Sequence, residues 1–108
     1  MKIFLSPQCE SLTGSLGQGF GYYIRSTKKG GYFAQRSKHA VPPDGHWRFI
    51  VACAELAQNK LHITDIKVSR EEIKKALYEA GLFIAMQNLR KETYDARDII
   101  NLKTTFGL

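Results

Sequence analysis

Cysteine is scarce: Cys9 and Cys53 are all there is. Two are too few for the disulfide framework that staples small secreted domains, and reduced thiols in a cytoplasmic setting are expected. Cys53 falls inside an apolar run over residues 49–56, where a thiol serves as a small buried hydrophobe. Long hydrophobic runs are missing too. No stretch approaches the ~20 apolar residues that a membrane-spanning helix needs, so a membrane is not an expected partner. The opening Met1-Lys2-Ile3-Phe4-Leu5 meets Pro7 too soon to form the apolar core of a signal peptide. No internal repeat, low-complexity tract or linker interrupts the chain, and its 108 residues fit a single domain, 1–108.

The motifs of catalysis are absent as well. No Gly-x-Ser-x-Gly elbow presents a serine nucleophile. His39, His46 and His62 include no His-x-x-x-His pair, and a hydrolytic metal needs three ligands of defined geometry. His39 is expected at a strand end and His46 on the first turn of a helix. Asp95 and Asp98, three residues apart beside Arg97, read as a solvated helix face rather than a magnesium site. The run Leu16-Gly17-Gln18-Gly19-Phe20-Gly21 resembles the glycine-rich loop of protein kinases. The H-R-D and D-F-G segments of that family are missing and the chain is too short for its fold. A phosphate-binding P-loop is excluded because no Gly-Lys-Ser/Thr follows. The chain is therefore expected to be non-enzymatic, with no metal and no cofactor.

Acid is scarce in one place only, and that scarcity is informative. The formal net charge is +6, and residues 21–50 carry +5 of it: Arg25, Lys28, Lys29, Arg36, Lys38 and Arg48 against Asp44 alone. Outside this stretch ten basic residues face nine acidic ones. Tyr22, Tyr23, Tyr32 and Phe33 are interleaved with the basic residues. Lysine and arginine hold phosphates and exposed rings stack on bases, so this residue mix suits nucleic acid. The run Lys29-Gly30-Gly31-Tyr32-Phe33-Ala34 shares residue types, though not spacing, with a signature segment of the RNA-recognition fold.

The pattern along the chain predicts an α+β domain. Residues 3–5, 20–26 and 32–40 read as strands, and Lys28-Lys29-Gly30-Gly31 supplies a hairpin turn. An even-length loop would put Tyr23, Arg25, Tyr32, Arg36 and Lys38 on one face, with Phe20, Tyr22, Ile24, Phe33 and Val41 on the other. One residue more in the loop exchanges the faces of one strand relative to the other. Pro42-Pro43-Asp44-Gly45 stops the sheet, and Asp44 is expected to cap a helix over residues 45–58 through its carboxylate. The amides that follow Asp44 are a candidate phosphate site. In that helix Trp47, Ile50, Val51, Ala54 and Ala57 form the main apolar stripe. Residues 61–68 read as a strand with a bulge near Thr64-Asp65. Ser69 and Glu72 match a capping box that opens a second helix reaching about residue 91. Its inner side would carry Ile73, Ala76, Leu77, Ala80 and Ile84. A last short helix is expected from Thr93 or Asp95 to about Leu102, followed by a tail.

The resulting order, β-β-β-α-β-α-α, implies a small, mainly antiparallel sheet of about four strands with helices on one face. The expected function is binding of DNA or RNA through the hairpin. Arg25, Lys28, Lys29, Arg36, Lys38 and Arg48 would hold phosphates, and Tyr23 and Tyr32 would stack. The alternative is a non-enzymatic assembly subunit, a homo-oligomer or a small component of a virion or other complex, because residues 82–86 are apolar all round and call for a cover.

Overall fold

The computed structural model describes residues 2–5, 22–26, 32–36, 42–59 and 63–107. The elements run β1 (Lys2–Leu5), β2 (Tyr22–Ser26), β3 (Tyr32–Arg36), α1 (Gly45–Gln58), β4 (Ile63–Ser69), α2 (Arg70–Glu79), α3 (Phe83–Gln87), β5 (Thr93–Tyr94) and α4 (Ala96–Phe106). This is an α+β arrangement. The strands lie in the order β2-β3-β1-β4-β5, and each neighbouring pair is antiparallel. The described sheet thus has a fifth strand beyond the expected four. It is two residues long, Val68 pairing with Tyr94 and Ser69 with Thr93, too short for alternation to reveal.

The sheet's register is the main departure from the expected pattern. Tyr22 pairs with Arg36, Tyr23 with Gln35, Ile24 with Ala34, Arg25 with Phe33 and Ser26 with Tyr32. Five residues, 27–31, separate the last pair, so the connection is odd rather than even. Residues opposite one another share a face. Tyr23 and Arg25 therefore share theirs with Phe33 and Gln35, while Tyr32 and Arg36 lie on the other face with Tyr22 and Ile24. The ladder continues through β1: Phe4 pairs with Phe33 on one side and with Asp65 on the other, and Lys2 pairs with Lys67. Thr64 is passed over where the register shifts between Phe4 and Leu5, which is the expected bulge.

β4 shows which face is covered. Ile66 and Val68 are buried and Lys67 is exposed. Helices α1 and α2 pack on β4, and Ile66 and Val68 join Trp47, Phe49, Ile50, Cys53, Ala54, Ile73, Leu77 and Ile99 in one core cluster. α1 is buried on most of its circumference because it also packs along α4. Its breadth of apolar residues matches that position. Burial pushes the Cys53 thiol up, so it is an inert part of the core.

Caps and stops define the helices. α1 spans 45–58 and ends at Asn59, as its sequence predicts. Asp44 occupies the N-cap, but its carboxylate accepts no capping bond. The entry is instead a backbone turn in which the Gly45 amide donates to the Pro42 carbonyl at 2.9 Å. Ser69 does cap α2, its hydroxyl accepting from the Glu72 amide at 3.2 Å. α2 stops at Glu79 rather than running to residue 91. Gly81 takes φ +75°, the Leu82 amide donates to Leu77 and the Gly81 amide to Tyr78. This Schellman closure turns the chain before the five-residue α3. At α4, Asp95 and Asp98 form a reciprocal capping box. The helix continues through residues 103–106, which were expected to be a tail, and stops at Gly107 with φ +66°.

Candidate functional site

The sequence-predicted site residues fall into three groups. Lys28, Lys29 and Lys38 lie outside the described residues, as do His39, His62, Cys9 and the glycine run at 16–21. Tyr23, Arg25, Tyr32 and Arg36 lie on the hairpin of β2 and β3, at one edge of the sheet, and its register divides them between the two faces. Arg48 lies on α1, which packs on the Ile66/Val68 side of the sheet. It is therefore separated by the sheet from the face that carries Arg25.

One row crosses four strands: Arg25, Phe33, Phe4 and Asp65 stand opposite one another in turn. By alternation this row shares its face with Tyr23, Gln35, Lys2 and Lys67, one step along each strand. Lys67 is exposed while its neighbours Ile66 and Val68 are buried under the helices, so this face is the one turned away from them. It combines three aromatic residues, Phe4, Tyr23 and Phe33, with Lys2, Arg25 and Lys67. Asp65 is the acid among them. Lys2, Phe4, Phe33 and Lys67 were not among the expected site residues. The composition of each strand was visible, but only the pairing of β1 between β3 and β4 brings them together.

A second polar cluster lies in the helix layer. His46 is buried at the start of α1 instead of decorating its surface. Its Nε2 lies 3.0 Å from Oε2 of Glu72, and its Nδ1 lies 3.5 Å from Oε1 of Glu79. Glu72 and Glu79 are seven residues apart, two turns of α2, so both reach the same side of that helix. The hydrogen bond from His46 is the main reason that the Glu72 carboxyl is held down to about 2, against the opposing effect of burial. The Glu72 side chain thus serves His46, while its amide donates to the Ser69 hydroxyl.

In the first turn of α4, burial works to raise the Asp98 carboxyl. The hydrogen bonds from Lys91 and from the Asp95 amide outweigh it, and Asp98 is held below its ordinary value. Lys91 Nζ donates to both Asp98 oxygens, at 2.8 and 2.7 Å, which raises the lysine in turn. Asp95 and Asp98 are accordingly a helix cap with a lysine partner. Among the described residues no group of three or more His, Cys, Asp or Glu side chains is placed to hold a metal ion. No described helix is long and apolar enough to cross a membrane.

A cleft of about 630 Å³ among the described residues runs along α1 beside the end of α4. Trp47, Val51 and Leu82 contribute to its apolar wall. It carries two ion pairs, Arg48 with Asp44 at 3.9 Å and Lys103 with Glu55 at 2.7 Å. The pairs balance one another in charge, so the cleft has none of the cationic excess that a phosphate site requires. Comparison of the chain with protein-family models, curated proteins and solved structures finds no match.

Proposed function

We propose that this protein binds single-stranded nucleic acid, DNA or RNA, across the sheet face opposite the helices. The observation that carries the reading is the ladder Arg25–Phe33–Phe4, with Tyr23, Lys2 and Lys67 on the same face. An unpaired strand presents bases that stack on rings and phosphates that pair with cations, and a sheet face with aromatic and basic residues in neighbouring register positions has partners for both. A duplex offers phosphates but keeps its bases stacked, so it would use only half of this surface. In this reading the helices occupy one face of the sheet and leave the other to the ligand. Lys28 and Lys29, in the connection from β2 to β3, would extend the cationic surface at the hairpin. Tyr32 and Arg36 would not stack on the same strand as Tyr23, because they lie on the other face.

The test is fluorescence anisotropy of labelled single- and double-stranded DNA and RNA at two salt concentrations. Single strands should bind more tightly than duplexes, and affinity should fall steeply with salt as counterions are released. Lys67→Glu and Arg25→Glu should each weaken binding about tenfold, since each exchanges a phosphate-neutralising cation for an acid. Equal affinity for duplex and single strands, or binding unmoved by both substitutions, would remove the sheet face from the argument.

A further inference from the structure

Tyr78, Phe83 and Ile84 are the large apolar side chains left in solvent among the described residues, at 62%, 49% and 71% exposure. They belong to one place. The Tyr78 and Phe83 rings meet edge to face with centroids 5.6 Å apart, across the break that Gly81 makes between α2 and α3. Beside them is a hollow of about 350 Å³ lined by Gly81, Leu82, Phe83, Ile84, Ala85 and Phe106, without one polar side chain. The chain was expected to need a cover over residues 82–86, either its last helix or another subunit. It covers Ala85 and half of Leu82 and Met86, and leaves Phe83 and Ile84 out.

The charges around this patch have a sign. α2 carries three acids and three bases, but the acids are engaged: Glu72 and Glu79 turn to His46, and Glu71 lies 3.9 Å from Arg70. Lys74 and Lys75 are exposed and stand four and three residues before Tyr78, one turn away on its side of the helix. A second copy of this chain, itself at +6, would bring the same two lysines to a symmetric contact. An acidic partner would neutralise them.

We propose that this face docks an acidic amphipathic segment of another protein. The segment seats an apolar side chain in the hollow between Phe83 and Phe106 and sets its carboxylates against Lys74 and Lys75. The inference is independent of nucleic-acid binding, because the patch belongs to α2 and α3 in the helix layer.

The experiment uses the full chain and a panel of labelled amphipathic peptides, built from Glu with Leu, Phe or Trp at helical spacing, beside charge-reversed Lys peptides. Anisotropy should show at least one acidic peptide binding ten times or more tighter than its Lys counterpart, more weakly at high salt. Amide shifts should concentrate at residues 78–86. Ile84→Ser should reduce that affinity about tenfold while the circular dichroism spectrum stays unchanged, since the side chain lies in solvent. Exchanging Lys74 and Lys75 for Glu should abolish the preference for acid. The proposal is overturned if no acidic peptide binds, if acidic and basic peptides bind alike, or if Ile84→Ser leaves affinity intact. It is equally overturned if sedimentation shows a dimer that Ile84→Ser dissolves, or if vesicles of phosphatidylcholine and phosphatidylserine bind through Ile84 while the peptides do not.

Discussion

At His46 a polar side chain enters the core because the neighbouring helix brings carboxylates with it. The contact ties the first turn of α1 to two points on α2 that lie two turns apart, and its effect on Glu72 has a direction in pH. The Glu72 carboxyl titrates near 2 in the folded chain, below its ordinary value of 4.5. As acid is added, the unfolded chain takes up the proton first. The contact's contribution is therefore complete above about pH 4.5, drains as pH falls, and is gone below about 2. Glu72→Gln should flatten the acid-induced loss of stability across this window, measured as urea midpoints at a series of pH values. Identical profiles for the two proteins would show that His46 does not hold the carboxylate. His46→Ala should destabilise by roughly 1–3 kcal/mol, the cost of lost packing and of one missing partner for carboxylates that keep some access to water. Trp47, buried on the same turn, carries more: its truncation to alanine should cost roughly 3–5 kcal/mol in a urea titration.

Among the elements, the α2–α3 break is the most instructive. An apolar run continues through it, and periodicity alone reads one long helix. The backbone decides otherwise at Gly81, whose φ of +75° is strained for any residue with a Cβ. An added Cβ at Gly81 meets nothing within 4 Å, so Gly81→Ala should lose only the backbone term, about 1–2 kcal/mol. Gly81→Asn should recover part of that loss, because asparagine tolerates the left-handed region better. Thermal melts of the three proteins check this, and an alanine variant as stable as the parent would mean that the chain does not turn at Gly81. The turn also explains the exposure of Ile84. A continuous helix would carry it around with Ile73, Leu77 and Ala80, whereas the redirected α3 buries Ala85 in its place. Helix starts were easier to read. Ser69 caps α2 and Asp95 heads α4 because both signals are local, a side-chain oxygen reaching an amide three residues on. Asp44 has the right residue type, but its backbone sits at φ −93° and ψ 2° rather than in the extended region of a capping residue, and its carboxylate makes no cap.

Across the whole molecule, the sheet separates two surfaces. One face is roofed by α1 and α2, and the other carries Lys67 with the row from Arg25 to Phe4 by register. Substitutions should respect that separation: Lys67→Glu should change nucleic-acid affinity and its salt dependence but not peptide binding, and Ile84→Ser the reverse. Loss of both activities in either variant, with folding intact by circular dichroism, would mean that the two surfaces are coupled. The charge asymmetry in residues 21–50 was plain in the sequence, and so was the buried stripe of α1, from Trp47 through Ala54, because 3.6-residue periodicity needs only near neighbours. The bulge at Thr64 was legible for the same reason, as a local failure of alternation. The assignment of Tyr32 and Arg36 to the face of Tyr23 and Arg25 was not secure at that level. It hung on the parity of one connection, and 27–31 has five residues. Nor could any local pattern place β1 between β3 and β4, align Phe4 with Phe33, or bring Glu72 and Glu79 to His46. Local propensity, capping and periodicity determined which segments fold into which elements. Register, strand order and the redirection of α3 depend on contacts between residues far apart in the chain, so only the tertiary structure decided which side chains share a surface.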